Sequence, residues 1–258
     1  METELKKPFM EHLEELRQRL VKSAIAVAIG FIIAYTFSEK LFIILVKPLK
    51  NAMGSNERLI FTNLAEMFIT YIKISVIAGI LFAAPVIFYQ FWKFVAPGLY
   101  DHEKKYVFPF VFFSTILFVG GALFGYFFVF PFGFKFFLSF ANEYVMALPS
   151  VKDYFSFSIK LLFAFGIIFE LPIFMFFMAK IGLITSETLK KYRRIAIVAI
   201  FIIAAILTPP DAFTQIMMAI PLLILYEISI YVCKISEKPH TQKEDKEQNN
   251  EQNNEGSK

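Results

Sequence analysis

Long apolar stretches separated by short polar segments dominate the first 232 residues of the chain. Six such stretches are present, and the first four approach or exceed the roughly 20 residues with which a helix crosses a ~30 Å hydrocarbon core. They are Val21–Phe37, Met67–Val95, Val107–Phe130, Phe157–Met178, Ile195–Pro209 and Phe213–Val232. The pattern predicts an all-α integral membrane protein with six transmembrane helices.

The last two predicted helices are unusually short. Ile195–Thr208 would extend only about 21 Å at ~1.5 Å per residue, and the sixth helix is uncharged only over Ala212–Tyr226. Such helices must thin the membrane locally or pack within a protein assembly. Paired prolines, Pro209-Pro210, separate the two helices, and Asp211 is predicted to cap the second one.

The composition excludes several classes of protein. The chain is 57% apolar and only 19% charged, whereas a soluble domain is about 25% charged and could not bury so many apolar side chains at this size. The single cysteine, Cys233, permits no intrachain disulfide. His102-Glu103 begins like the zinc motif HExxH, but Tyr106 stands where the second histidine is required. We therefore expect no enzyme, no metal or other cofactor, and no nucleic-acid partner.

Lys and Arg are distributed unevenly between the polar connections. With the N-terminus inside, thirteen fall in the inner connections and six in the outer ones, so the positive-inside rule places both termini in the cytoplasm. The prediction has three parts: a cytoplasmic amphipathic helix over 1–20, a six-helix transmembrane domain over 21–232 and a disordered cytoplasmic tail over 233–258. The tail is too polar to bury the surface that folding needs.

One acidic group lies on the N-terminal segment Phe9–Leu20. At 100° per residue its apolar side chains share one face, and its acids lie opposite. Glu15 and Arg19 are spaced to form an ion pair, which favours an ordinary solvated surface. Glu11 and Glu15 have the same spacing and repel each other, which favours a functional role. Both interpretations stay open at this point.

A second acidic group follows the second predicted helix. Asp101 and Glu103 come just after a predicted turn at Pro97-Gly98, close in sequence to the aromatic Phe94. A belt of interfacial aromatics and lysines explains the rings but not the acids. Two acidic groups at one membrane face suggest capture of a basic ligand. Arginine suits them better than lysine, because a guanidinium pairs with a carboxylate through two hydrogen bonds.

The segments that carry these residues resemble the TatC family, the polytopic receptor subunit of the twin-arginine protein translocase. The resemblance extends over Phe9–Val232 and leaves out the tail. Its motifs are His12-Leu13-Glu14-Glu15-Leu16-Arg17-x-Arg19-Leu20, Tyr89-Gln90-Phe91-Trp92-x-Phe94-x-x-Pro97-Gly98-Leu99-Tyr100-x-x-Glu103-Lys104, Phe165-Gly166-x-x-Phe169-Glu170-Leu171-Pro172, Pro209-x-Asp211-x-x-x-Gln215 and Ala219-x-Pro221-x-x-x-Leu225-Tyr226-Glu227.

The resemblance implies recognition of N-terminal signal peptides that carry consecutive arginines, and export of folded proteins driven by the protonmotive force. The implied peptide-binding residues are Glu15, Glu103, Phe94 and Arg17. The implied partners are single-span subunits of the TatA/TatB type, which would contact Thr208 and Gln215, together with further copies of the chain. The implied location is the plasma (inner) membrane of a prokaryote. A capping or turn role is the structural alternative for Thr208 and Gln215.

Glu170 is predicted near the middle of the fourth helix. A charged side chain at mid-membrane is costly and usually functional, and the resemblance implies that this acid faces a concave pocket open to the bilayer. A structural alternative also exists, since Pro172 frees the carbonyl of Ile168, which a protonated Glu170 could satisfy. An alternative function is a small-solute or ion transporter with Glu170 as its coupling residue, although no internal repeat supports it.

Overall fold

The computed structural model describes residues 2–53, 59–95, 107–208 and 211–237, with side chains described from residue 10. The predicted all-α class is confirmed in these residues. The helices are α1 (Glu2–Thr36), α2 (Ser38–Ala52), α3 (Glu66–Val95), α4 (Val107–Phe124), a π-helix (Gly125–Val129), α5 (Phe130–Leu138), α6 (Val151–Phe169), α7 (Leu171–Lys180), α8 (Ser186–Lys191), α9 (Arg193–Leu207) and α10 (Ala212–Ser236). The chain forms two compact units, Met1–Ile167 and Ile168–Lys258.

Five helical segments in the described part of the chain are long and apolar enough to cross a membrane. They are Met10–Thr36, Glu66–Val95, Val107–Leu138, Val151–Lys180 and Ala212–Ser236. This result supports the predicted polytopic membrane protein. α9 has only 15 residues, about 22 Å of helix, so its shortness is confirmed. The count of six spans and the orientation of the termini stay predictions.

The expectation that the last helix is also short is wrong. α10 has 25 residues, about 37 Å, and it includes Cys233–Ser236, which was assigned to the tail. Glu227 interrupts the uncharged stretch without ending the helix, because its carboxylate is half exposed and accepts a 2.8 Å hydrogen bond from Arg193. The remaining tail, 238–258, lies outside the described residues.

The chain before α3 also differs from its sequence description. α1 is one helix of 35 residues that passes through residue 20, so the amphipathic segment is continuous with the first apolar run. Whether the membrane surface lies at residue 20 stays a prediction. The first connection, which was predicted to lie outside, contains the helix α2. The apolar pattern does not reveal this helix, because lysines interrupt it at Lys40, Lys47 and Lys50.

α1 and α3 form the most extensive helix pair of the first unit. A Cβ atom added to Gly30 would lie 2.6 Å from the carbonyl oxygen of Gly79, and one added to Gly79 would lie 2.6 Å from the backbone nitrogen of Phe31. The two backbones are therefore in direct contact, which only residues without a side chain permit. On the other side of α3, Trp92 stacks on Phe110 of α4 with ring centroids 4.7 Å apart.

A buried carboxylate fastens the loop before α3 to the loop before α6. Glu66 is 4% exposed. Its Oε2 accepts hydrogen bonds from the backbone N–H groups of Thr62 (2.8 Å) and Asn63 (3.3 Å). Its Oε1 accepts from the N–H of Lys152 (2.6 Å) and the hydroxyl of Ser150 (3.1 Å). The carboxylate therefore serves as the common acceptor for two chain segments, a role that the sequence analysis did not anticipate.

Two tyrosine hydroxyls hold α2 against the rest of the first unit. Pro48 lies inside α2 and has no N–H, so the carbonyl of Ile44 has no donor one turn later. The hydroxyl of Tyr126 donates to that carbonyl at 2.8 Å, and the hydroxyl of Tyr154 donates to Leu45 at 2.5 Å. Pro48 thus leaves the carbonyl of Ile44 without a donor from α2, and the hydroxyl of Tyr126 takes the place of that donor.

α7 and α10 form the core of the second unit. The hydroxyl of Ser236 donates to the carbonyl of Phe176 at 3.1 Å, and the hydroxyl of Tyr226 donates to the carbonyl of Leu189 at 2.7 Å. Both bonds join α10 to neighbours earlier in the chain. They hold its C-terminal half in register, although this part of the helix contains charged residues.

Candidate functional site

The candidate site lies in the first unit, where the N-terminal part of α1 meets the C-terminal end of α3. Glu15 and Arg19 are one turn apart on α1 and form the ion pair that their spacing predicts. Arg19 donates from Nε to Oε1 of Glu15 at 3.0 Å and from Nη2 to the same oxygen. Its Nη1 lies 3.5 Å from Oε1 of Gln90 on α3. The Arg19 side chain is only 15% exposed, whereas that of Glu15 is 34% exposed.

His12 and Phe94 complete the other side of this carboxylate. The two rings stack with centroids 4.4 Å apart and an angle of 18° between their planes. Nδ1 of His12 lies 3.9 Å from Oε2 of Glu15. The two oxygens of Glu15 are therefore in different surroundings: Arg19 donates to Oε1, while Oε2 lies near a nitrogen of the His12 ring. His12 thus brings the predicted site residues Glu15 and Phe94 together.

The other predicted members of the site are placed differently. Arg17 is 75% exposed and pairs with Glu14 at 3.3 Å, so it does not contact the Glu15 carboxylate in this arrangement. Glu103 and Asp101 lie outside the described residues. Their meeting with Glu15 at one membrane face stays a prediction.

Glu170 lies where the fourth predicted helix is interrupted. α6 ends at Phe169 and α7 begins at Leu171, so the acid stands at the junction of two helices and is half-buried. Pro172 is the second residue of α7, where a missing N–H is tolerated. The backbone carbonyl of Glu170 accepts from the N–H of Phe174 at 2.9 Å, which starts the new helix.

The two predicted partner-contact residues lie at the end of α9 and in the first turn of α10. The hydroxyl of Thr208 donates to the carbonyl of Ala204 at 2.8 Å, and the Nε2 group of Gln215 donates to the carbonyl of Phe201 at 3.0 Å. Thr208 therefore ends α9, and Gln215 ties the start of α10 to α9. The bond of Thr208 fits the capping or turn role that was its alternative interpretation, whereas the bond of Gln215 is a contact between two helices. A contact with single-span partners stays a prediction.

Asp211 caps α10, which confirms the prediction made for it. Its Oδ1 accepts from the N–H of Thr214 at 2.7 Å, and its Oδ2 accepts from the hydroxyl of the same residue. The cap satisfies a backbone N–H of the first turn that has no partner within the helix, so α10 begins directly after Asp211. Within the described residues, no group of three or more His, Cys, Asp or Glu side chains is placed to hold a metal ion.

Comparisons with known proteins place this arrangement in a family. Residues 11–221 match the family model of the Sec-independent protein translocase protein (TatC). This chain belongs to the TatC family. The protein of that name from Desulforapulum autotrophicum is 55% identical over 232 residues, which cover 90% of this chain and 86% of the relative. The one from Aquifex aeolicus is 46% identical over 231 residues, covering 89% and 95%.

Solved structures agree with this assignment. A crystal structure described as the twin-arginine translocase receptor TatC matches with a TM-score of 0.78 at 46% identity, covering 87% of this chain and 99% of the other. A second, in DDM, gives a TM-score of 0.79 at 45% identity, covering 86% and 99%. The relatives are components of a protein translocase, which supports the translocase interpretation over the small-solute transporter.

Sequence reasoning missed two residues that shape the site of this TatC-family protein. His12 and Gln90 both occur in the motifs that carried the resemblance, but neither was assigned a role. A histidine three residues before a glutamate on a helix lies on the same side of it, which was an available signal. No sequence signal showed that Gln90 would reach Arg19, because that contact crosses between two helices.

Proposed function

We propose that this TatC-family protein is the receptor and core subunit of a twin-arginine translocation system. It binds signal peptides with a consecutive arginine pair and mediates export of folded proteins across the plasma (inner) membrane of a prokaryote, driven by the protonmotive force. The proposal includes six membrane spans with both termini in the cytoplasm. Its role is transport rather than catalysis.

The observation that carries the proposal is the surroundings of the Glu15 carboxylate. Its oxygen Oε2 lies 3.9 Å from Nδ1 of the His12 ring, which in turn stacks on Phe94. A guanidinium bound there would combine charge-assisted hydrogen bonds with stacking on an aromatic plane, which an ammonium group cannot match. Glu103 would supply the second carboxylate for the second arginine, and Arg17 would contact the peptide from the exposed face of α1.

We further propose that partners bind at the connection between α9 and α10. Thr208 bonds back to Ala204 at the end of α9, and Gln215 joins α10 to α9. The short α9 also has exposed apolar side chains such as Ile202 and Ile206. Single-span TatA/TatB-type helices and further copies of the chain would cover such surfaces within the membrane. Glu170, at the break between α6 and α7, would take part in translocation and not in peptide capture.

Peptide binding tests the proposed function directly. The full chain in nanodiscs is titrated with a fluorescent signal peptide that carries Arg-Arg and with the same peptide carrying Lys-Lys. We expect the Arg-Arg peptide to bind more tightly, Glu15→Gln to weaken it, and high salt to weaken it further through screening. Glu143→Gln removes an equal charge from an exposed loop position and serves as the matched control. Equal binding of both peptides by the unmodified protein would contradict the proposal.

A further inference from the structure

Arg19 already occupies half of the carboxylate that the proposed function assigns to the signal peptide. Two of its nitrogens, Nε and Nη2, converge on Oε1 of Glu15, and its third nitrogen, Nη1, faces Gln90 at 3.5 Å. The Arg19 side chain is 85% removed from solvent, since only 15% is exposed. Its guanidinium is thus held by both α1 and α3 and stands where a second guanidinium would otherwise bind Glu15 through both oxygens.

This arrangement has two consequences for an incoming cation. Among the described residues, Arg19 takes Oε1 of Glu15, which leaves Oε2 for the ligand on the side where His12 lies 3.9 Å away. In addition, the charges of Glu15 and Arg19 offset each other, so the pair attracts a distant positive charge only weakly. A ligand that depends on net charge alone gains little here. A planar cation that also stacks and donates several hydrogen bonds gains more.

We propose that Arg19 is a specificity-determining and positioning residue, an internal competitor that makes the Glu15 site select arginine over lysine. It does so by neutralising the carboxylate and by presenting a single oxygen near the His12 ring, which stacks on Phe94. A lysine ammonium binds mainly as a point charge and loses most from this neutralisation. An arginine keeps its stacking and its additional donors. The inference rests on the proposed function and concerns how the same site discriminates between its ligands.

Arg19→Gln tests the inference, because it removes the competing charge and keeps a polar side chain on the same face of α1. The full chain in nanodiscs is titrated with the Arg-Arg and Lys-Lys peptides. We expect the Lys-Lys peptide to bind at least roughly fivefold more tightly than to the unmodified protein, since surface ion pairs already reach this size and this pair is partly buried. The Arg-Arg peptide should change less. The ratio of the two Kd values therefore falls.

The matched control is Lys22→Gln, which removes the same charge from an exposed position one turn further along α1 and should leave the ratio unchanged. In a Glu15→Gln background, Arg19→Gln should no longer alter the ratio, since the carboxylate through which it acts is absent. Arg19→Lys, whose ammonium pairs with Glu15 less completely, should give an intermediate ratio. If Arg19→Gln shows no melting transition and is therefore unfolded, the Kd ratio of Arg19→Lys serves as the test of the inference.

The outcomes separate this inference from the function on which it rests. If the unmodified protein prefers the Arg-Arg peptide while Arg19→Gln and Arg19→Lys keep the same ratio, Arg19 does not set specificity and the inference is overturned. Equal weakening of both peptides in these variants also overturns it, because that result indicates a structural role only. An unmodified protein with no preference overturns both the inference and the proposed function.

Discussion

The carboxylate of Glu66 accepts a 2.6 Å hydrogen bond from the backbone N–H of Lys152, 86 positions later in the chain. The same carboxylate also accepts bonds from Thr62, Asn63 and Ser150. Beside it, the backbone of Ile60 exchanges hydrogen bonds with Pro149 (3.1 Å) and Val151 (2.9 Å). Two loops that would otherwise be independent are therefore fastened together at the ends of α3 and α6.

We predict that Glu66→Gln lowers the melting temperature of the protein in detergent by roughly 5 °C, because an amide oxygen is a weaker acceptor and its NH₂ group would face backbone donors. The measurement is circular dichroism on heating. Glu39→Gln, on the exposed surface of α2, removes an equal charge and should melt like the unmodified protein. Identical melting temperatures of the two variants would show that the hydrogen bonds to Glu66 do not stabilise the protein.

The contact between Gly30 and Gly79 predicts that neither position tolerates a side chain. Gly79→Ala would bring a methyl group to 2.6 Å from the backbone of α1, so the two helices must move apart, at a cost of about 1–3 kcal/mol. Gly120→Ala is the control, since nothing lies within 4 Å of its added Cβ. Thermal unfolding should show loss of stability for the first variant and not for the second. The reverse order would refute the packing described.

Because Pro48 leaves the carbonyl of Ile44 without a helical donor, we predict that the effects of Tyr126→Phe and Pro48→Ala on stability are coupled. Tyr126→Phe removes the donor to the Ile44 carbonyl and should destabilise the protein by about 1 kcal/mol. In a Pro48→Ala background the helix supplies its own N–H to that carbonyl, so the same change should cost less. A double-mutant cycle measured by thermal melting checks this. Additive effects of the two changes would show that Tyr126 does not compensate for the proline.

From the position of Glu170 between α6 and α7, we predict that removing its carboxyl group impairs export without affecting folding. Glu170→Ala should leave the melting temperature and the preference for the Arg-Arg peptide unchanged, because Pro172 and the backbone bond from Phe174 to the carbonyl of residue 170, which start α7, are kept in the variant. Export of a folded reporter in a strain that depends on this protein should fall severalfold. Glu39→Ala is the control for loss of a carboxylate. Full export by Glu170→Ala would remove Glu170 from the proposed mechanism.

Local features were predictable because they depend on near neighbours in the sequence. The apolar runs located the spanning helices, and the one-turn spacing of Glu15 and Arg19 gave their ion pair. Asp211 could be recognised as a cap because the residues that it caps follow it directly. The wrong predictions also had local causes. Lysines interrupt the apolar pattern of α2, so this helix was not predicted, and the charge of Glu227 led to a predicted α10 that was too short.

Contacts between distant segments were decided by the tertiary structure alone. Gly30 faces Gly79, His12 stacks on Phe94, and Glu66 reaches Lys152, because each pairing depends on how two helices or loops are rotated and shifted against each other. Nothing in either segment alone specifies that register. Patterns among near neighbours therefore identified most of the long apolar helices, together with the local cap at Asp211 and the ion pair of Glu15 and Arg19. Packing determined the partner that each of these side chains meets, since only close contact between helices selects one rotation among many.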